Sequence, residues 1–210
     1  MGSQTVLDLI GSSLIFGLLL LMVIRVNGAS GENLQSFRAD LLVQQNLVAL
    51  ISMLEYDFRK IGYCKNPNKL PDPTKYIRYA DSVKIRFYTD VDNDGNVDSL
   101  SYYVGPTSEA SYTPNPNDRL FYRLVNNNTP RGVNFGITVF DLQYYDALKN
   151  RLTFPITSPG LIQMMQVTIQ IENMAATTLL INRGTMDLRS QYQTAYWRQV
   201  RMVAKNLRNR

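Results

Sequence analysis

The sequence predicts an α+β fold in which one long N-terminal helix packs on an antiparallel β-sheet. Three observations predict it. An apolar run of membrane length occupies the start of the chain. A second stretch, closing at Gly62, repeats apolar residues at the three- and four-residue steps of a helix. From Val83 onward, short runs alternate apolar and polar residues between turn-rich loops, the period of half-buried strands. A helix with one apolar stripe needs a cover, and a sheet from the same chain supplies it.

The apolar run comes first. From Val6 to Ile24 there are 19 residues, and Asp8 is the only charged one. At 1.5 Å per residue such a helix is about 28 Å long, close to the ~30 Å of a bilayer core. A buried core helix fits poorly, because Leu18 to Ile24 is apolar without a polar face. A cleaved secretory signal wants basic residues before the apolar run and a small-residue cleavage site after it. Here no Lys or Arg precedes Arg25, and Asn27-Gly28-Ala29 is only a fair cleavage site. A retained membrane helix is the expectation, with the other two as its alternatives.

Residues 25–33 (RVNGASGEN) are expected to interrupt the helix, since Gly28 and Gly31 weaken it locally. Periodicity then resumes. Leu34, Phe37, Leu41, Val48, Ile51, Leu54, Phe58 and Ile61 form one apolar stripe, and Arg38, Asp40, Glu55, Arg59 and Lys60 supply much of the polar side. Gly62 is the expected stop, with Arg59 and Lys60 in the last turn, where the helix dipole favours cations. Residues 63–80, with three prolines and three lysines, read as loop. Four to six antiparallel strands are expected beyond it: around Val83–Tyr88 and Leu100–Val104 as a hairpin, then Leu120–Val125, Ile137–Tyr145, Met165–Glu172, and a last one within Tyr196–Leu207.

Composition narrows the chemistry. The chain of 210 residues carries a net charge of +5, one cysteine and no histidine. With one membrane helix set aside, about 180 residues remain, enough for one soluble domain. Cys64 alone can form no intrachain disulfide, and a Cys-ligated zinc site would need more thiols. Without histidine the usual His-dependent acid–base and nucleophile machinery is absent. Carboxylate chemistry stays open, but no catalytic residue and no enzymatic activity are expected. The basic excess lies at the end, where Arg189, Arg198, Arg201, Lys205, Arg208 and Arg210 follow the last acid, Asp187. One basic tail without a recognition element gives no expectation of specific nucleic-acid binding.

The hairpin turn DVDNDGNVD is the clearest candidate binding motif. Asp90, Asp92, Asp94, Asn96 and Asp98 fall at alternate positions, and Gly95 permits a sharp turn. This is the spacing by which a loop wraps oxygen ligands around calcium. The twelfth position, normally a bidentate Glu, is Ser101. A helix–loop–helix calcium motif is therefore not expected, because the loop also follows a strand. A structural Ca2+ is the candidate cofactor. A solvated acidic turn, in which Asp and Asn favour the backbone geometry, is the alternative.

Taken in order, these elements resemble the type IV pilin-like family, which includes minor pilins and the pseudopilins of type II secretion. Thr5-Val6-Leu7-Asp8 resembles the Thr-aliphatic-aliphatic-acid part of the family's N-terminus. Asp57, Phe58, Arg59, Gly62 and Tyr63 resemble the close of the long helix in larger minor pilins. The strand–acidic loop–strand VKIRFYTDVDNDGNVDSLSYYV, the segment GVNFGITVFDLQYYDALKN and the ending RMVAKNLRN are similar to the family's sheet. The resemblance implies three segments: a leader at 1–3, the long helix at 4–62 spanning the membrane to about residue 25, and a sheet domain at 63–210. It implies cleavage between Ser3 and Gln4 by a prepilin peptidase, with methylation of the new N-terminus. It implies that Asp8 meets the N-terminal amine of a neighbouring subunit during filament assembly. Its implied partners are other pilin-like subunits in a helical filament and an inner-membrane assembly platform. The implied location is the bacterial inner membrane before assembly and a periplasmic or extracellular filament afterwards. The chain would be single-pass, with its C-terminal domain outside the cytoplasm. The competing reading is a single-span, membrane-anchored interaction domain with a calcium-stabilised loop and no filament.

Overall fold

A computed structural model of the chain describes residues 2–173 and 195–208. Helix α1 spans Gly2–Arg59 without a break. The interruption expected over 25–33 is absent, because helix continues through Gly28 and Gly31. Each glycine costs only about 1 kcal/mol against alanine in a helix interior, and the leucine-rich runs on either side carry the helix through.

The chain divides into two compact units, Met1–Leu41 and Leu42–Arg210. The first is helix. Within it, Val6–Gly31 is long and apolar enough to cross a membrane, and none of that span is buried.

The second unit holds the rest of α1 and a sheet. Its strands are β1 (Ile77–Ala80), β2 (Lys84–Thr89), β3 (Asp98–Val104), β4 (Arg119–Val125), β5 (Gly132–Tyr145), β6 (Met164–Glu172) and β7 (Ala195–Met202). These seven lie side by side in sequence order, each antiparallel to the next. A single helical turn, α2 (Lys205–Arg208), follows β7. The architecture is α+β.

Among the described residues the strand count exceeds the expected four to six because of β1, which falls in the segment read as loop. In β1 buried Ile77 and Ala80 flank two exposed residues, Arg78 and Tyr79, and a bulge shifts its register. No alternation survives to be read. β5 likewise begins at Gly132, ahead of the expected Ile137. Arg119 pairs with Ile137 and Leu120 with Asn134, so Phe135 and Gly136 bulge out of the ladder. Gly136 has φ +76°, a left-handed conformation that glycine adopts without strain.

The register aligns one apolar face. Ile85 opposes Tyr102, Phe87 opposes Leu100, Leu142 opposes Val167 and Met165 opposes Met202. Against this face α1 buries Val43, Leu47, Leu50, Ile51, Leu54 and Phe58, and Ile61 joins them from the turn after the helix. The expected stripe is covered at Ile51, Leu54, Phe58 and Ile61 and departs from the buried face before them. Leu34, Phe37, Leu41 and Val48 are exposed, whereas Val43, Leu47 and Leu50 are buried. Two apolar stripes overlap on this helix, and the sheet covers the second. Phe58 meets Phe87 and Tyr102 edge-to-face, each at 5.6 Å between ring centroids. Gly62 turns the chain at φ +74°. A Cβ there would lie 2.1 Å from the Tyr76 ring, so only glycine fits.

Candidate functional site

β2 and β3 pair up to Thr89 opposite Asp98, which sets the acidic turn directly beyond the ladder. Asp90 is buried. Its Oδ2 accepts the backbone N–H groups of Lys65 at 3.1 Å and Gly95 at 3.0 Å, and its Oδ1 accepts that of Asp94 at 3.1 Å. Burial opposes the Asp90 charge, but the backbone donors outweigh it and hold the carboxyl below the ordinary carboxylate range. Asp98 accepts the Val91 N–H at 2.9 Å on one oxygen and the Asn126 amide at 2.7 Å on the other. Gly95 supplies the sharp turn at φ +87°.

Of the five residues expected to hold calcium, Asp90, Asp92 and Asp98 each place one oxygen within 4.8 Å of the others. Asp94 is not among these three carboxylates. Asp94 accepts the Asn96 backbone N–H at 2.7 Å, and Asn96 Oδ1 accepts the Lys69 ammonium. Calcium takes six to eight oxygens, and three convergent carboxylates form part of such a shell. Lysines already offset some of the loop's charge. The Lys60 ammonium donates to the backbone carbonyls of Asp90 at 3.4 Å and Val91 at 3.2 Å. It also lies 5.1 Å from the Tyr56 ring centroid. Cys64 is half-buried, with its sulfur 3.7 Å from the Gly95 carbonyl.

A second polar constellation lies between helix and sheet. Asp57, on the buried side of α1, accepts hydrogen bonds from the Tyr102 hydroxyl on β3 and from Arg123 Nε on β4, the latter at 2.8 Å. Arg123 Nε also lies 3.0 Å from the Tyr102 hydroxyl oxygen. Burial, then the Asp57 charge, pushes the Tyr102 phenol well above its ordinary value. Sequence reasoning missed this triad. Its signal was present: Asp57 stands three residues after Leu54 and breaks an otherwise apolar phase. Arg123 stands between inward-facing Phe121 and Val125.

At the other end of α1, Ser3 and Gln4 lie in the first turn and Asp8 inside the apolar span. Gln4 and Asp8 are exposed, and a four-residue step puts them on one helix face. Of the basic tail, Arg198 and Arg201 are exposed on β7, whereas Arg189 and Arg210 lie outside the described residues.

Comparison with protein-family models, with curated proteins and with solved structures finds no match to this chain.

Proposed function

We propose that the chain is a structural subunit of a type IV pilus-like or pseudopilus filament, a minor pilin or pseudopilin. The observation that carries this reading is the continuity of α1. One helix holds an unburied apolar span with a single acid near its start, then the stripe that an antiparallel sheet covers. The apolar part holds the subunit in the membrane before assembly, and in the filament it packs against its counterparts. A carboxylate in hydrocarbon is costly unless it meets a positive partner. Asp8 finds one in the N-terminal amine of a neighbour, at Gln4 after peptidase cleavage behind Ser3. The subunit moves from the bacterial inner membrane to a periplasmic or extracellular filament, and it carries no catalytic activity.

The test is mass spectrometry of the native N-terminus. The expected mature chain begins at Gln4 and is N-methylated there; a native chain still beginning at Met1 or Gly2 counts against the reading. Asp8→Ala is expected to leave the protein membrane-bound and absent from filaments. Wild-type incorporation of that variant would remove the role of Asp8.

The division of the chain at Leu41/Leu42 favours a second reading, a compact exported domain on a single-span anchor. It expects no processing and a monomer in detergent. On either reading, we propose that the acidic loop takes calcium as a structural ion through Asp90, Asp92 and Asp98. Equilibrium dialysis tests this: no uptake at millimolar calcium rules it out, as does uptake unchanged by Asp92→Asn with Asp98→Asn.

A further inference from the structure

The outward face of β1–β4 carries a row of aromatic and cationic side chains. Strand alternation puts Lys84, Arg86 and Tyr88 of β2, Tyr103 of β3 and Tyr122 of β4 on the side opposite buried Ile85, Phe87, Tyr102 and Phe121. From β1, Arg78 and Tyr79 join them. Arg78, Tyr79 and Arg86 are exposed, and Lys84, Tyr88, Tyr103 and Tyr122 are half-buried.

In this row cations lie against rings. Lys84 Nζ sits between two tyrosines, 5.8 Å from the Tyr79 ring centroid and 5.2 Å from that of Tyr103. Tyr103 and Tyr122 stack at 4.6 Å, with 7° between their planes. The Arg78 guanidinium lies 5.7 Å from the Tyr88 ring centroid, and Arg86 Nε donates to Ser101 Oγ at 3.0 Å. Gly132 makes room for the end of the row, because a Cβ there would lie 2.8 Å from Tyr122 Cζ. An acid closes each end: Asp81 accepts the Tyr79 hydroxyl at 3.3 Å, and Glu109 accepts that of Tyr122 at 2.7 Å. At the usual strand spacing four strands are about 14 Å across.

Cations at the centre and carboxylates at the two ends define a ligand of mixed chemistry. Lys84 and Arg86 suit a carboxylate at its middle. Asp81 and Glu109 repel further anions at the ends and accept hydroxyl donors there. Tyr103 and Tyr122 cover each other, and Lys84 lies over Tyr103. A nucleobase therefore lacks the open ring platform on which it stacks, whereas hydroxyls and ring edges suit a sugar. We propose that this face binds an acidic glycan in which neutral sugars flank a carboxylate-bearing one. The carboxylate meets Lys84 and Arg86, and the flanking hydroxyls meet Asp81 and Glu109. The row lies on the sheet and does not involve the helix that carries the filament reading.

The test uses the full chain in detergent and calcium-free buffer, with a hexasaccharide of alternating glucuronate and N-acetylglucosamine as the probe. Binding by calorimetry is expected, and it is expected to weaken as salt rises. A neutral hexasaccharide of N-acetylglucosamine is expected to bind more weakly. Lys84→Gln with Arg86→Gln is expected to weaken binding of the acidic probe about tenfold and to leave the melting temperature unchanged. If that pair disturbs folding, Arg86→Gln alone, on an exposed side chain, carries the test. No binding of the acidic probe at millimolar concentration overturns the proposal. Binding unchanged by the variants, or equalled by the neutral probe, also overturns it. Tighter binding of a single-stranded oligothymidylate, lost in the same variants, overturns it in favour of nucleic acid.

Discussion

Arg123 Nε sits 2.8 Å from Asp57 Oδ2, so a strand in the middle of the sheet is ion-paired to the buried side of the helix. The Asp57 side chain is 5% exposed and that of Arg123 31%. Apolar contacts along Val43–Ile61 can slide or rotate by small steps, whereas this pair has one geometry. Such a pair adds less to stability than its attraction suggests, because both charges were dehydrated to form it.

Breaking the pair on one side is therefore expected to cost more than removing it whole. Asp57→Ala leaves Arg123 without its carboxylate and is expected to destabilise by about 3 kcal/mol, the low end for a buried pair, since Arg123 keeps contact with water. The double variant Asp57→Leu with Arg123→Met is expected to lie closer to wild type. Chemical denaturation of the three proteins decides this, and a double variant less stable than Asp57→Ala would refute it.

The unequal burial along the expected stripe gives a second prediction. Leu54 is 1% exposed and Val48 55%. Leu54→Ala is expected to cost about 2–5 kcal/mol, the range for a truncated core leucine. Val48→Ala is expected to stay within about 0.5 kcal/mol of wild type. Equal losses in thermal unfolding would mean that Val48 is covered as well.

Alkaline pH gives a third. Tyr102 is held above the ordinary tyrosine value by burial and then by Asp57, and Tyr144 by burial and then by Asp81. The folded chain keeps these protons where the unfolded chain, at about 10, gives them up. Their contribution is full below that value and declines as pH rises above it. The unfolding midpoint is expected to fall above about pH 10, and less steeply in Tyr102→Phe. Identical alkaline slopes for the two proteins would exclude Tyr102 as a cause.

A fourth concerns the acidic loop. The Lys60 ammonium holds two backbone carbonyls there. Lys60→Met is expected to cost about 1–3 kcal/mol, felt locally. Amide exchange at Val91, Asp94 and Gly95 should accelerate while β5 and β6 stay protected. Uniform acceleration across the sheet would show that Lys60 supports the whole fold instead.

What could be read from the sequence followed the strength of its periodicity. The β2–β3 hairpin and β6 alternate cleanly, and both stand where expected. β1 and the first half of β5 were hidden because bulges at Ile77–Tyr79 and at Phe135–Gly136 reset the period. The helix stripe was legible from Ile51 to Ile61 but not before it, since Val43, Leu47 and Leu50 compete with Leu41 and Val48 on the same helix and only packing decides between them. The acidic loop was legible as a motif, yet its internal hydrogen bonds were not: Asn96 turns to Asp94 and Lys69, which spacing cannot foretell. The Asp57–Arg123 pair joins residues 66 positions apart, beyond the reach of any local pattern.

The order of the sheet bears on how the protein is made. Among the described residues every strand lies beside the one that precedes it, from β1 to β7. Each new strand can therefore dock on an edge already formed, although the connections differ, from 81–83 between β1 and β2 to 146–163 between β5 and β6, and the entropic cost of closing them grows only slowly with their length. A chain delivered N-terminus first meets its partners in the order of their synthesis. In that order β1 is the first strand made and β7 the last edge laid down.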